Sequence, residues 1–452
     1  ATGQVYFTLT ADAGKRLISH EDVDHVILTG ATETAELFRS WRPEMNLSAE
    51  TSGKNAIIVT PAADPDLAVA DILRSAFGHS GQKCSASSLV ILVGRAGESK
   101  RLRSQLIDAV ATLRVGPGTD ISTTMNGLIE PPGEKLRRGL TSLDAGETWL
   151  LEPEQFDEEG RFWSPGIRDN VRPGSWYHTH ECFGPVLGIM HAANLDEAIE
   201  WQNSTGFGLT GGIHSLDGAE IDHWIDNVEV GNAYVNRGIT GAIVQRQSFG
   251  GWKQSVIGAG AKAGGPNYVA QLGAWADGGH DHAEVELTRE VANLLADAAA
   301  HLSPEDHAWL RSAAELDELA WREEFGREHD LSGLRSEANI FRYRPLPEPL
   351  SVHVGSGARE RDLWRLRLAG LRAGVGVEVL EGTDLAPGSR VRALGEVDPS
   401  LYAAAAATGS VVLDQPVLAD GRRELLPFLL EQAVSVTLHR FGVLRQVGSV
   451  RR

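Results

Sequence analysis

The chain has 452 residues, of which 42% are hydrophobic and 23% charged, and it carries a net charge of −19. Such acidity disfavours nucleic acid or an anionic membrane surface as a partner, because a phosphate-binding surface needs clustered Lys and Arg. Two distant cysteines, Cys84 and Cys182, exclude a disulfide framework and suit a reducing, cytoplasmic compartment.

The elements follow one another as strand, turn and helix. His25–Thr29 is a short apolar run ending at Gly30, and the next eleven residues have helical character. Asn55–Thr60 is a second strand candidate, and Asp64, Pro65 and Asp66 open a helix that reaches about Phe77. Ser88–Val93 and Pro185–Ala192 read as buried strands, and LDEAIEWQNS reads as a helix between later strands. Gly208–Ser215 is a glycine-rich segment, and a further strand and turn lie in VEVGNAYVNRGITGA. Alternation of this kind predicts an α/β fold with a mostly parallel sheet. Around Gly250-Gly251 and GAGAKAGGPN an extended loop is expected.

Character changes after about Trp275. The stretch to Glu337 is charged and predicted to be helical, and a boundary falls between about Ala276 and Leu346. A separate βαβ pattern follows, through PLSVHVGSG, DLWRLRLAGLRAG and VGVEVLEG. Ala403–Ala407 reads as helix, and Ala433–Leu438 alternates as a strand that can pair with a neighbouring domain. His280 and His282 flank Asp281, but a metal site needs further ligands at compatible spacing, so this segment reads as a linker with no metal. No apolar run approaches the ~20 residues that cross a bilayer. The start, ATGQVYFTLTADAG, has neither a basic region followed by an apolar core nor an initiator Met, and it begins as though inside a domain.

Three short stretches carry chemistry. In GHSGQKCSASS, small and hydroxyl residues surround Cys84, with Lys83 beside it. A buried inert thiol and an activated nucleophile both remain open on these residues alone. In ETSGKN, Glu50 precedes a tight Ser52-Gly53 turn, as either a general base over a cleft or a solvated strand end. In ECFGPV, Phe183 before Gly-Pro either presents a flat ring or packs in a core, and Glu181 can accept hydrogen bonds from a ribose. Cys182 reads as structural.

Together these stretches resemble the aldehyde dehydrogenase superfamily. GQKCS is similar to its nucleophile motif, ETSGKN to its general-base motif, ECFGPV to its Glu-x-Phe-Gly-Pro motif, and LTGATETA to its turn under the NAD pyrophosphate. NAYVNRGITGAIVQRQSFGGWKQS, followed by GAGAKAGGPNY, looks like the L-glutamate γ-semialdehyde (pyrroline-5-carboxylate) dehydrogenases fused to proline dehydrogenase in bacterial proline-utilisation proteins. The resemblance implies Cys84 as nucleophile and Glu50 as base. It implies Gly30, Thr32, Glu33, Glu181 and Phe183 as NAD contacts, and Ser85, Gly241 and Ala242 as contacts of the substrate's α-carboxylate. Three departures are Ala35 at the last glycine of the phosphate turn, Ala31 where many relatives carry a serine hydroxyl, and Ser52 at one glycine of the base motif.

The fold implied is aldehyde dehydrogenase-like: three-layer parallel-sheet domains, N-terminally truncated, plus a C-terminal Rossmann-like α/β domain. Residues 1–52 are then a remnant of the NAD-binding domain, and 53–275 the catalytic domain with its return loop. A helical linker over 276–345 leads to a non-catalytic Rossmann-like domain with a flap over 346–452. The resemblance also implies a proline dehydrogenase domain upstream in the same gene product and a homo-oligomer when intact. Because the family's chain begins well before Ala1, the isolated polypeptide is expected to be inactive or poorly folded. The alternatives are another NAD(P) aldehyde dehydrogenase, which the Gly241-Ala242 loop disfavours, or a non-catalytic lid or assembly piece.

Overall fold

A computed structural model describes residues 10–278 and 285–449; His280, Asp281 and His282 lie outside the described residues. Short, continuous apolar runs form strands that are buried on both faces, as a parallel sheet requires. Asn55–Val59 and Ser87–Val93 are such runs. They sit centrally in a nine-stranded sheet, the neighbours on one side being Val186–Ala192, Gly166–Asp169 and Thr148–Leu151. On the other side lie Thr210–His214, Asn232–Val235, Leu429–Thr437 and Glu337–Pro345. All neighbours pair in parallel except the outermost strand at each edge.

Side-chain alternation divides the core between two layers. Ala56, Ile58, Leu89 and Ile91 pack on Ala198, Ile199, Ile221 and Trp224, which come from helices Leu195–Asn203 and Gly218–Asn227. Ile57, Val59, Val90 and Leu92 face Ile72, Phe77, Leu102 and Leu106 of helices Pro65–Phe77 and Lys100–Ala111. Each fully buried large aliphatic contributes about 1.5–3 kcal/mol. Helix Pro65–Phe77 begins as its sequence signals: Asp64 accepts from the Asp66 N–H, and Pro65 sits where no donor is needed.

A second, smaller sheet precedes it. Val26–Thr29 and Leu47–Glu50 run parallel, joined by helix Thr32–Trp41, and Val256–Ile257 adds antiparallel to Leu47–Glu50. Its third strand therefore comes from the return segment, about 200 residues downstream. Val26–Thr29 is an edge, and Ile27 on it is 55% exposed.

The C-terminal unit holds a four-stranded parallel sheet in the order Val377–Val379, Leu350–Val354, Arg390–Leu394, Val411–Leu413. Helix Glu360–Ala373 joins the first two in βαβ fashion and buries Leu366, Ala369 and Ala373. Helix Pro304–Ala320 packs on it through a bidentate Asp317–Arg365 pair, both at 2.7 Å and shielded from solvent. The Ala403–Ala407 run lies in helix Pro399–Ala407.

The stretch before this unit corrects the helical expectation. Helices Arg289–Ala298 and Pro304–Ala320 are present, but Glu337–Pro345 is a nine-residue strand. Its arginines concealed the strand pattern. Arg342 is buried, donating through Nε to Gln432 Oε1 at 2.8 Å and through Nη2 to the Ile225 carbonyl at 2.8 Å. The alternating end of the chain forms strand Leu429–Thr437, pairing Ala433 with Asn232 and Val436 with Val235.

Candidate active site

The small sheet presents the carboxyl ends of its parallel strands, and the large sheet presents the amino ends of its own. The chemistry gathers where these ends face each other. Ahead of strand Ser87–Val93 the chain makes a tight turn, with His79, Ser80 and Gly81 all at positive φ. A Cβ on Gly81 would lie 2.2 Å from the Gly184 carbonyl oxygen, so only glycine permits this approach. Cys84 follows, half-buried, on a loop pinned by Asn55. Asn55 donates to the Cys84 carbonyl at 2.7 Å and to the Ala86 carbonyl at 2.9 Å, while its Oδ1 accepts from the Thr210 N–H at 3.0 Å. Burial pushes the Cys84 thiol above its ordinary range, and the Ser85 N–H works against that rise. The negative charges of Glu181 and Glu50 add to it.

Glu50 ends strand Leu47–Glu50 and pairs with Thr29 in register. Its Oε2 accepts the Gly251 N–H at 3.2 Å, and Gly250 passes so close that a Cβ there would sit 2.8 Å from Oε1. Burial raises its carboxyl to about 7, opposed by the Lys262 ammonium. Lys262 is itself buried and held down at about 8 by desolvation; its Nζ donates to Asn232 Oδ1 at 3.0 Å and to the Gly250 carbonyl. Glu431, from the strand Leu429–Thr437, accepts the Lys262 N–H at 2.7 Å and the Asn267 side chain at 2.7 Å.

Glu181 lies across the same cleft and accepts the Gly53 N–H at 3.0 Å, its carboxyl raised by burial. Phe183 stands at φ 56°, its residue 41% exposed, and its carbonyl accepts from Gln82 at 3.4 Å. Gly30 donates to the Glu50 carbonyl at 3.2 Å, and the Thr32 N–H meets Ser52 Oγ at 3.5 Å. Glu33 differs from these: it points to an exposed ion pair with Lys135. Lys54 of the ETSGKN stretch is buried with its Nζ 4.0 Å from the centre of the Tyr177 ring, and burial lowers it to about 8.

Ser85 is buried, and its carbonyl accepts from Thr210 Oγ1 at 3.4 Å. Gly241 and Ala242 sit on the loop after strand Asn232–Val235; Gly241 is exposed, at φ 80°, with no atom near its missing Cβ. Asn55, Lys262 and Glu431 went unmarked in the sequence. Asn55 had a signal, since a polar residue opening an apolar strand next to a turn often pins that turn.

Residues 4–272 match the aldehyde dehydrogenase family. The 1-pyrroline-5-carboxylate dehydrogenases of Geobacillus sp. (strain WCH70) and Bacillus subtilis (strain 168) are 33% and 34% identical over 268 residues, 57% of this chain and 51% of each of theirs. Proline Utilization A (PutA) from Corynebacterium freiburgense is 64% identical with a TM-score of 0.90, covering 96% of this chain and 44% of that one. A Thermus 1-pyrroline-5-carboxylate dehydrogenase with bound NAD is 31% identical, with a TM-score of 0.52 over 57% of this chain and 51% of its own. The chain spans about half the length of the curated relatives it matches. With more than half of the sequence matched on the α/β scaffold described above, the chain belongs to the aldehyde dehydrogenase family.

Proposed function

We propose that this chain is the catalytic portion of an NAD-dependent dehydrogenase that oxidises L-glutamate γ-semialdehyde to L-glutamate. The observation that carries the reading is the closeness of the Glu50–Gly53 turn to both other groups: the Gly53 N–H donates to Glu181 at 3.0 Å, and a Cβ on Gly53 would lie 2.8 Å from the Cys84 carbonyl oxygen. The loop bearing Gly241 and Ala242 adds free backbone N–H groups suited to a carboxylate. In this reading Cys84, as thiolate, attacks the aldehyde carbon, and its own backbone N–H helps to hold the oxyanion. Ser85, Gly241 and Ala242 hold the substrate's α-carboxylate. Glu50, poised near neutrality, takes a proton from the water that hydrolyses the thioester. Sulfur serves both as nucleophile and as acyl leaving group, which is why a cysteine occupies this position.

The donor set suits a dinucleotide. Helix Thr32–Trp41 starts without a side-chain cap from Ala31, and its positive dipole end suits a pyrophosphate, although the Thr32 N–H meets Ser52 Oγ and the Thr34 and Ala35 N–H groups close on the Ala31 carbonyl. In this reading Glu181 accepts from ribose hydroxyls, and Phe183, 41% exposed, is available to the cofactor. Gly30 and Thr32 line the same turn; Glu33 would first have to release Lys135. NAD, when bound, supplies the hydride acceptor. We further propose that the whole gene product carries a proline dehydrogenase domain, is cytoplasmic and is a homo-oligomer. The likeness to proline-utilisation proteins supports the first of these. The assay is NADH formation from L-glutamate γ-semialdehyde by the full gene product, with succinate semialdehyde for comparison. Failure to oxidise the first, or preference for the second, overturns the reading.

A further inference from the structure

The loop from Asn236 to Arg246 carries Gly241 and Ala242, and its two ends are unusual. Asn236 and Gln245 are both non-glycine residues in left-handed conformations, at φ 53° and φ 66°. Such conformations persist only where the surroundings fix them. Next to each stands an arginine, Arg237 and Arg246. Both reach the same carboxylate: Arg237 Nη1 lies 2.6 Å from Glu337 Oε2, and Arg246 Nη1 lies 2.7 Å from Glu337 Oε1.

Glu337 opens the antiparallel edge strand, outside the residues that match the family. Its side chain is only 13% exposed, so the pair with Arg237 is better shielded than an ordinary surface pair, while Arg246 reaches it from the solvent side. Two residues along the same strand, Asn339 accepts from Gln247 at 2.6 Å, and Gln247 in turn accepts the Ile243 N–H at 2.8 Å. Arg237, Glu337 and Gly241 line one cavity of about 380 Å³. Two cations on one carboxylate leave a net positive charge beside the loop.

We propose that Glu337 is a positioning residue for aldehyde specificity: by gripping Arg237 and Arg246 it holds loop 236–246 so that Gly241 and Ala242 face a substrate carboxylate. This inference rests on the function proposed above. It predicts that a carboxylate-bearing aldehyde feels the loss of the grip and a plain one does not to the same degree. Loosening the loop disorders the anchor for the remote carboxylate while the thiol, 157 residues before Gly241 in sequence and on another strand's loop, keeps its own pins.

Glu337→Ala and Glu337→Gln, made in the full gene product, provide the test, with kcat and KM measured for L-glutamate γ-semialdehyde and for propanal. The ratio of kcat/KM for the semialdehyde to that for propanal should fall about tenfold to a hundredfold, mostly through KM. Glu337→Asp, which keeps the charge, should recover part of it. A ratio within about twofold of wild type, or equal losses on both aldehydes, overturns the proposal. Hydrogen exchange on the full gene product reads the grip without turnover. Amides of 236–247 should exchange faster in Glu337→Ala while strands Asn55–Val59 and Val186–Ala192 keep their protection; unchanged exchange of the loop also overturns the proposal. A wild-type protein that oxidises neither aldehyde would sink the proposed function, leaving the exchange experiment to decide whether Glu337 holds the loop.

Discussion

Gly81→Ala is the sharpest structural test of how the Cys84 loop is seated. The added methyl would lie 2.2 Å from the Gly184 oxygen, 2.7 Å from the Gly184 carbon and 3.0 Å from the Ala76 oxygen. All three contacts are backbone, so no side-chain rotation relieves them. The φ of +67° costs a non-glycine residue about 1–2 kcal/mol, and overpacking adds about 1–3 kcal/mol, for a loss of roughly 2–5 kcal/mol. The relief must come from moving the Glu181–Val186 turn away from the loop, which displaces Phe183 and Glu181 relative to Cys84. Urea unfolding of the variant should show the loss in the transition of the large sheet, and alkylation of Cys84 should change rate in the folded protein. A loss below about 0.5 kcal/mol, the range of an unstrained surface change, together with an unaltered alkylation rate would refute the reasoning.

Glu50→Gln should reduce turnover by a factor of about 10² to 10⁴ and leave acyl-enzyme on Cys84, visible as an added mass on the intact protein. Because Glu50 must be deprotonated to act and is held at about 7, thioester hydrolysis should decline as pH falls through about 7. Lys262→Met removes the cation that favours the carboxylate, so the midpoint should move upward, and a downward move would contradict the charge argument. Since burial raises the Cys84 thiol, its alkylation without cofactor should still be climbing above pH 9, with Cys182 protected; a plateau near neutrality would refute this. Asp317→Asn leaves Arg365 buried without its carboxylate and should destabilise the C-terminal unit by about 3–5 kcal/mol in urea unfolding.

Much of the candidate site was legible because its residues lie in contiguous stretches. The glycines around Cys84, the Glu50 turn and the Phe183 turn each state a local backbone demand, and the chain meets it locally. Strands such as Asn55–Val59 were equally plain, since a run buried on both faces has no polar face to confuse. Partnership between distant segments was not legible. Glu33 has an apt position at a helix start, yet Lys135 claims it from 102 residues away. Val256–Ile257 joins the small sheet only because the return segment passes Glu50. Strand Glu337–Pro345 was hidden by arginines whose partners, Gln432, Ile225 and Asp226, come from other segments. Local pattern cannot announce a charge that tertiary contacts will satisfy.

These long-range partners converge on one structural necessity. Strand Asn232–Val235 would be an open edge of the large sheet, and an open edge is a liability that folded proteins cover. Leu429–Thr437 covers it in parallel register, and Glu337–Pro345 closes the new edge with a nine-residue antiparallel ladder. Once those strands are in register, the positions of their side chains are no longer free. Glu431 falls where it accepts the Lys262 N–H, and Trp252 donates to the Glu431 carbonyl at 2.8 Å, fixing the segment that brackets Glu50. Glu337 falls against the two arginines that bracket Gly241. Covering the edge therefore places one carboxylate behind Glu50 and another behind the Gly241 loop. Shifting either strand by one residue would turn its own carboxylate to the opposite face. The register of the C-terminal strands and the geometry of the cleft are thus a single structural property of the chain.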